Sequence, residues 1–337
     1  MMNIKLSAIL QSLFFFFLGL LILYFVVKSS GLDIRQNLQD FQAMHPGWLI
    51  GVCVVFMISN LHRTWRWQML LEPLGYKTRF INGFLSVVLG YFINLFITRT
   101  GEVARAASLA KYEKISFDKT MGTIVVDRLI DLITVMFIII LGILVQWRTF
   151  GENLSRFDII NKAKVLLYVA PVMVGGLILL YVFFKRHREN KVVQRIYNVF
   201  NGFKTGLKSI VLIKNKPLFI FHSIAIWVCY FLMTYLMVKG FDATKHLTLG
   251  PILIVFIFGN LGMIFPSPGG IGSFQAAFTF GLIIFGINKV GASSLSNILF
   301  FVVQFFCNVI FGVVAFFLLP ILNPAEKSDS TKINPPS

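Results

Sequence analysis

The sequence predicts an all-α polytopic membrane protein made of two inverted repeats, each consisting of two helices, a re-entrant hairpin and a further helix. Three observations carry that prediction. Of 337 residues, 57% are hydrophobic and 13% charged, about half the charged share of a soluble domain, and charge-free runs recur at close to the roughly 20 residues that cross a hydrocarbon core. The positive residues gather between particular runs, so the net charge of +17 orients the chain in a membrane and is not the footprint of a nucleic-acid surface. Aligning Thr98–Val103 with Pro266–Ile271 brings Gly101 onto Gly269 at an offset of 168 residues, half the chain.

The first run, Leu6–Val27, is 22 residues long, more than the roughly 7–15 of a signal peptide's apolar region, and reads as a retained first helix. The second, Gly47–His62, is followed by Arg63, Arg66, Lys77 and Arg79, a basic cluster that the positive-inside rule assigns to the cytoplasm. The stretch Lys185–Lys216 holds nine Lys and Arg against a single acid, Glu189, and is cytoplasmic by the same rule. Between two cytoplasmic loops the chain crosses an even number of times, yet three apolar segments lie there, 80–98, 120–147 and 165–184. The first is read as a re-entrant hairpin, running into Thr98-Arg99-Thr100-Gly101-Glu102 and returning through Ala106–Lys111, with its irregular backbone lining an internal cavity.

The second half repeats the pattern. Pro217–Val238 is a span, and Gly250–Phe265 runs into Pro266-Ser267-Pro268-Gly269-Gly270-Ile271-Gly272, where two prolines and three glycines cannot continue a helix. Ser273–Ile287 is too short to span comfortably and forms the return arm, and Val290–Ala325 is the last span. The offset places 47–62 on 215–230 and 120–147 on 288–315. The expected organisation is one transmembrane domain over 1–322, with repeats at about 1–150 and 160–322, and a short polar tail at 323–337. Both termini face the cytoplasm of a plasma-membrane protein. On this topology 19 of the 31 Lys and Arg lie inside and nine outside, leaving Arg99, Arg105 and Arg128 near membrane depth.

Those three arginines stand beside Glu102, Asp127 and Asp131. Ionisable groups within the membrane are costly and face a cavity or one another. Glu102 is three residues from both Arg99 and Arg105, which permits an Arg-Glu-Arg ladder; Asp127 and Asp131 share a helix face, with Arg128 about 100° away. Two roles are compatible with the six: an ion-pair network holding the hairpin to its neighbour, or a headgroup site in which arginine forks, those of Arg99 and Arg105, grip phosphate while Glu102, Asp127 and Asp131 orient them. The hairpin tips are assigned to Gly101, Pro266, Pro268, Gly269, Gly270 and Gly272. Trp48, Trp65, Trp67 and Trp147 lie at span ends and read as an aromatic belt. The three cysteines fall in apolar runs, where a disulfide framework has no loops to staple. His62 and His222 lack partners at metal-ligand spacing, and no Walker lysine follows Gly269-Gly270-Ile271-Gly272, so no metal, cofactor or catalytic residue is assigned.

Arg99-Thr100-Gly101-Glu102-Val103-Ala104-Arg105, Asp127-Arg128 with Asp131, and the Pro266–Gly272 segment resemble the motifs of the lysylphosphatidylglycerol synthase transmembrane-domain, or flippase-like domain, family, and Arg63-Thr64-Trp65-Arg66-Trp67 resembles the basic-aromatic end of its second helix. The resemblance reaches to about residue 320. It implies a non-enzymatic role in moving polar lipids between leaflets, with phospholipid or another anionic or aminoacylated lipid as partner and no nucleic acid. Thr98 and Gln275 depart from the family pattern, which leads one to expect proline and an acid there. Two other classes stand beside the flippase: an integral-membrane transferase acting on a lipid phosphate, and a structural assembly factor.

Overall fold

The computed structural model describes residues 34–96, 100–146, 212–264 and 270–324, and those residues form helices and their connections. The predicted first span, the 165–184 segment, most of the long basic loop, Trp147, Arg99, Pro266, Pro268 and Gly269 lie outside the described residues. An amphipathic α1 (Ile34–Ala43) precedes α2 (Pro46–Leu71), α3 (Phe80–Phe96), α4 (Gly101–Glu113) and α5 (Phe117–Val145). The later half holds α6 (Lys216–Gly240), α7 (Leu249–Ile264), α8 (Ser273–Ile284) and α9 (Lys289–Phe300), which runs through a π-helical segment (Phe301–Cys307) into α10 (Asn308–Leu322).

Each long helix begins where the local sequence can satisfy its first amides. His45, Ser116, Asn215 and Asn288 cap α2, α5, α6 and α9 by accepting from Gly47, Lys119, Leu218 and Gly291 N–H groups, and prolines sit in the first turns of α2 and α6, where no donor is lost. Among the described residues four helices are long and apolar enough to cross a membrane: α2 with its terminal turn, α5, α6, and α9 continued through α10. This is an all-helical membrane protein. Helices α3, α7 and α8 are apolar but shorter.

Burial follows a regular scheme. The most extensive packing is between α2 and α6, while α3 lies on α10 and α5 on α7. The short helices pair locally, α3 with α4 and α7 with α8. Phe84, Leu85, Leu89 and Phe92 of α3 bury against Ala315 and Leu319, and Gly312 lets α10 approach Phe92, which leaves no room for a Cβ there. Val52, Phe56, Met233 and Met237 join Phe278, Leu295 and Val302 in the largest apolar cluster.

Polar contacts tie the chain together at its two ends. At one, Lys214 meets Glu72 at 3.0 Å, Glu113 accepts from Arg79 N at 3.1 Å and from Asn82 Nδ2 at 2.6 Å, and Asn82 exchanges hydrogen bonds with Asn323. The start of α3, the end of α4 and the end of α10 therefore meet. At the other end Lys239 donates to Leu247 O at 2.8 Å, Ser294 bonds Asp40, Trp48 packs over Gly240 and Gln146 over Gly250.

One boundary corrects the sequence reading. The apolar run ends at His62, but α2 continues to Leu71 and carries Arg63 and Arg66 inside it. They are 1% and 0% exposed, so neither is a cytoplasmic surface anchor. Lys77 and Arg79 alone follow the helix as a loop cluster. Trp67, expected in the aromatic belt, is likewise fully buried.

Candidate functional site

The site starts from two spacings. Arg63 and Arg66 are three apart on α2, and Asp127 and Asp131 are four apart on α5, so each pair presents one helix face. Packing α2 on α5 brings the faces together. Arg63 Nη1 lies 3.3 Å from Asp127 Oδ2 and 2.9 Å from Asp131 Oδ2; Arg66 Nη2 lies 2.7 Å from an oxygen of each, and its Nε donates to Asp127 Oδ1 at 2.9 Å. Two guanidinium forks thus clamp two carboxylates, the strongest hydrogen-bonding geometry available to these groups. Arg105, reaching over from α4, adds a third partner to Asp127 at 3.2 Å. Its guanidinium lies 3.8 Å from the centre of the Trp67 ring, a cation–π contact in a site without water competition, and Trp67 Nε1 donates to Thr123 Oγ1 at 3.0 Å. Arg63 also donates to Tyr230 OH of α6 at 2.9 Å.

Of the ladder expected within the hairpin, Arg99 lies outside the described residues, while Glu102 and Arg105 each pair across helices. Glu102 takes Arg128 at 2.9 Å, and Arg105 takes Asp127. Helix α4 brings Glu102 and Arg105 to α5, where better-matched partners wait. Arg128, predicted to point away from its neighbouring acids, is the most exposed of the described arginines in the group, with 40% of its side chain accessible, and it comes within 3.7 Å of Asp131.

Beside this cluster is a cavity of about 530 Å³, within the range of small-molecule sites. Its walls come from α2, both short-helix pairs, α5, α6, α9, the π-helical segment and the start of α10. Arg63, Glu102, Arg128 and Asp131 make its charged wall, and Trp227, Met233, Phe256, Phe274 and Phe300 make much of the rest apolar. Asp127, Arg66 and Arg105 stand behind that wall; Arg105 borders a separate cleft of only about 10 Å³. The described site therefore divides into buried clamps and a cavity-facing group.

The predicted tip glycines have distinct placements. Gly101 opens α4, its N–H donating to Asn94 Oδ1 at 2.7 Å, and a Cβ on it would overlap Gly90 O. Gly270, which lines the cavity, and Gly272 have φ of 83° and 80°, in the left-handed region that favours glycine. Gln275, where the resemblance leads one to expect an acid, accepts from Gly272 N at 2.8 Å and so caps α8. Sequence reasoning missed Arg63, Arg66 and Tyr230 as site residues. The arginine spacing of three inside a continuing apolar pattern was the available signal; Tyr230 had none.

Comparison with known proteins gives a consistent result. The family described as the lysylphosphatidylglycerol synthase TM region matches residues 9–312. A UPF0104 membrane protein of Methanocaldococcus jannaschii is 23% identical over 258 residues, covering 70% of this chain and 75% of that protein. A UPF0104 membrane protein of Methanothermobacter thermautotrophicus is 26% identical over 247 residues, covering 67% and 71%. Glycosyltransferase AglD of Haloferax volcanii is 22% identical over 296 residues, 77% of this chain but 47% of that protein. No solved structure is a significant match.

Proposed function

The chain belongs to the lysylphosphatidylglycerol synthase transmembrane-region family, and from that membership we propose that it is a lipid flippase of the plasma membrane, passing a polar headgroup through the cavity while the acyl tails stay in the bilayer. The observation that carries this reading is the cavity itself: about 530 Å³ inside an apolar helical protein, with a charged wall of Arg63, Glu102, Arg128 and Asp131. Desolvating a charged headgroup in hydrocarbon costs several kcal/mol or more, and a protein that supplies a polar path removes most of that barrier. Arg128, in place of the Arg105 expected from the sequence, is the phosphate contact in this reading, because arginine stays charged when buried and offers planar paired donors, and because its neighbours Arg66 and Arg105 are held by Asp127 behind the wall; Arg99 lies outside the described residues.

The architecture proposed with it is two inverted repeats with two re-entrant hairpins. Its support is the exchange in the packing: α2 lies on its counterpart α6, and α3 on α10 as α7 on α5, which is what a two-fold relation between the halves produces. The α3–α4 pair begins and ends beside Glu113, Asn82 and Asn323, whereas α7 begins at the opposite end, beside Lys239. Lys77, Arg79, Lys114 and Lys214 gather at the first end, which is cytoplasmic by the positive-inside rule.

Reconstituted vesicles with a leaflet-accessibility assay test the function. Arg128→Gln should slow translocation of an anionic lipid about tenfold or more, the scale of one lost charge-assisted contact, and leave the lipid chemically unchanged. Undiminished translocation in a folded Arg128→Gln, Glu102→Gln double variant would sink the headgroup path. Appearance of a new lipid species would instead point to a transferase.

A further inference from the structure

We propose that the headgroup taken by this cavity is hydroxyl-rich: a lipid phosphodiester bearing a sugar or polyol. The inference rests on the lipid-passage reading and adds to it the chemistry of the cargo. Besides Asn94 of α3, whose Oδ1 accepts from Gly101 N at 2.7 Å, three asparagines from three elements line the cavity, Asn60 of α2, Asn260 of α7 and Asn308 at the start of α10. Each turns its amide N–H onto its own helix, donating to Phe56 O at 2.9 Å, Phe256 O at 2.8 Å and Gln304 O at 3.0 Å. The Nδ2 donors are thereby engaged, and among the described residues no hydrogen bond engages the Oδ1 acceptors. Asn308 is 3% exposed and its Oδ1 is buried without a partner. A buried acceptor left in that state is destabilising and marks a place where a ligand donor is missing. Among the described residues Glu102 Oε2 is a further buried acceptor without a partner, and Trp227 Nε1, on the same cavity, is a buried donor without one.

A hydroxyl is the small neutral group that both donates and accepts, so several hydroxyls on one ring answer these atoms together. An ammonium would supply donors only, and charge opposes it. Among the described residues four arginines, Arg63, Arg66, Arg105 and Arg128, face three acids in the cluster, leaving one positive charge in excess, and both acids on the cavity wall are already paired with arginine. One phosphodiester neutralises that excess beside Arg128, whose Nε is buried without a partner. The Trp227 and Phe274 rings offer apolar faces to the C–H groups of a sugar.

The test separates this from the passage reading by measuring binding. The full chain, purified in detergent, is offered phosphatidylinositol, phosphatidylmethanol, phosphatidylcholine and lysylphosphatidylglycerol with matched acyl chains, and bound lipid is ranked by native mass spectrometry. Phosphatidylmethanol carries the same single charge and no headgroup hydroxyl. Phosphatidylinositol should be retained about tenfold over it, as two or three modest hydrogen bonds provide. That preference should fall to within about threefold in Asn260→Leu and in Asn308→Leu, while Arg128→Gln lowers both anionic lipids alike. Asn260→Leu is included because Asn308 also braces the π-helical turn. Equal retention of phosphatidylinositol and phosphatidylmethanol, preference for the lysyl lipid, or a preference unmoved in both folded asparagine variants would overturn the hydroxyl-rich assignment and leave lipid passage standing. Failure of every lipid to bind would overturn the passage reading and this one with it.

Discussion

Asp127 is fully buried and accepts from Arg63, Arg66 and Arg105, so neutralising it takes from Arg105 its one carboxylate among the described residues and leaves Arg63 and Arg66 to share Asp131. A buried ion pair adds little over an apolar pair of the same shape, but breaking one costs about 3–5 kcal/mol. Asp127→Asn should therefore lower the thermal unfolding midpoint in detergent sharply, with a loss in that range. A midpoint within a few degrees of wild type would mean the clamp is not a determinant of folding. At this scale the sequence was only half legible. Asp127, Asp131 and Glu102 announced themselves as acids in apolar segments, but Arg63 and Arg66 followed a span and carried the ordinary signature of positive-inside anchors. Only contacts across more than 60 residues of chain distinguish a buried arginine from a surface one.

Helices α3 and α4 turn on a contact between glycines. A Cβ on Gly101 would overlap Gly90 O and the Asn94 amide, so Gly101→Ala must spread the two helices, at about 1–3 kcal/mol. Gly51→Ala, whose new methyl would sit at 3.4 Å from Leu236, should be tolerated, and paired melts of the two variants check the difference. The last span contains a π-helical segment that puts Gln304 and Val303 on the cavity and Cys307 beside Cys53, Sγ to Sγ 3.5 Å. Mild oxidation of the purified protein should couple Cys53 to Cys307 within one chain and spare Cys229, as peptide mapping would show; coupling to Cys229 would contradict the packing of α2 on the π-helical turn. The sequence placed these elements by charge-free runs and glycine-proline clusters. It could not place the π-helical segment, because Phe301–Cys307 has the composition of the α-helix on either side and the extra residue is set by packing.

Across the whole molecule the two halves are chemically unequal. The first contributes every charge of the cluster, on α2, α4 and α5, while the second contributes Tyr230, Asn260, Asn308 and much of the aromatic lining. In the proposed inverted-repeat architecture this inequality gives the cavity a charged side and a side of amides and aromatic rings. The inverted arrangement is checked by labelling. Single cysteines at positions next to Lys77, Lys114 and Asn323, in a cysteine-free background, should react from one side of the membrane, and those next to Asp242 and Asn288 from the other. Opposite labelling at Lys77 and Lys114 would exclude a re-entrant α3–α4 pair.

The membrane class, the order of long and short apolar segments among the described residues and the acids within apolar helices were legible in the sequence, because each is a local matter: hydrocarbon thickness sets span length, and charge in an apolar run is visible residue by residue. Which arginine meets which acid, which of them reaches the cavity, and which amide oxygens are left facing it were decided only by the tertiary structure. Pairing partners lie on different helices, and a helix face is a direction that acquires meaning only when another helix packs against it. Arg105 and Arg128 look alike in the sequence. The packing of α2 and α4 on α5 buries the first over Trp67 and leaves the second on the cavity wall.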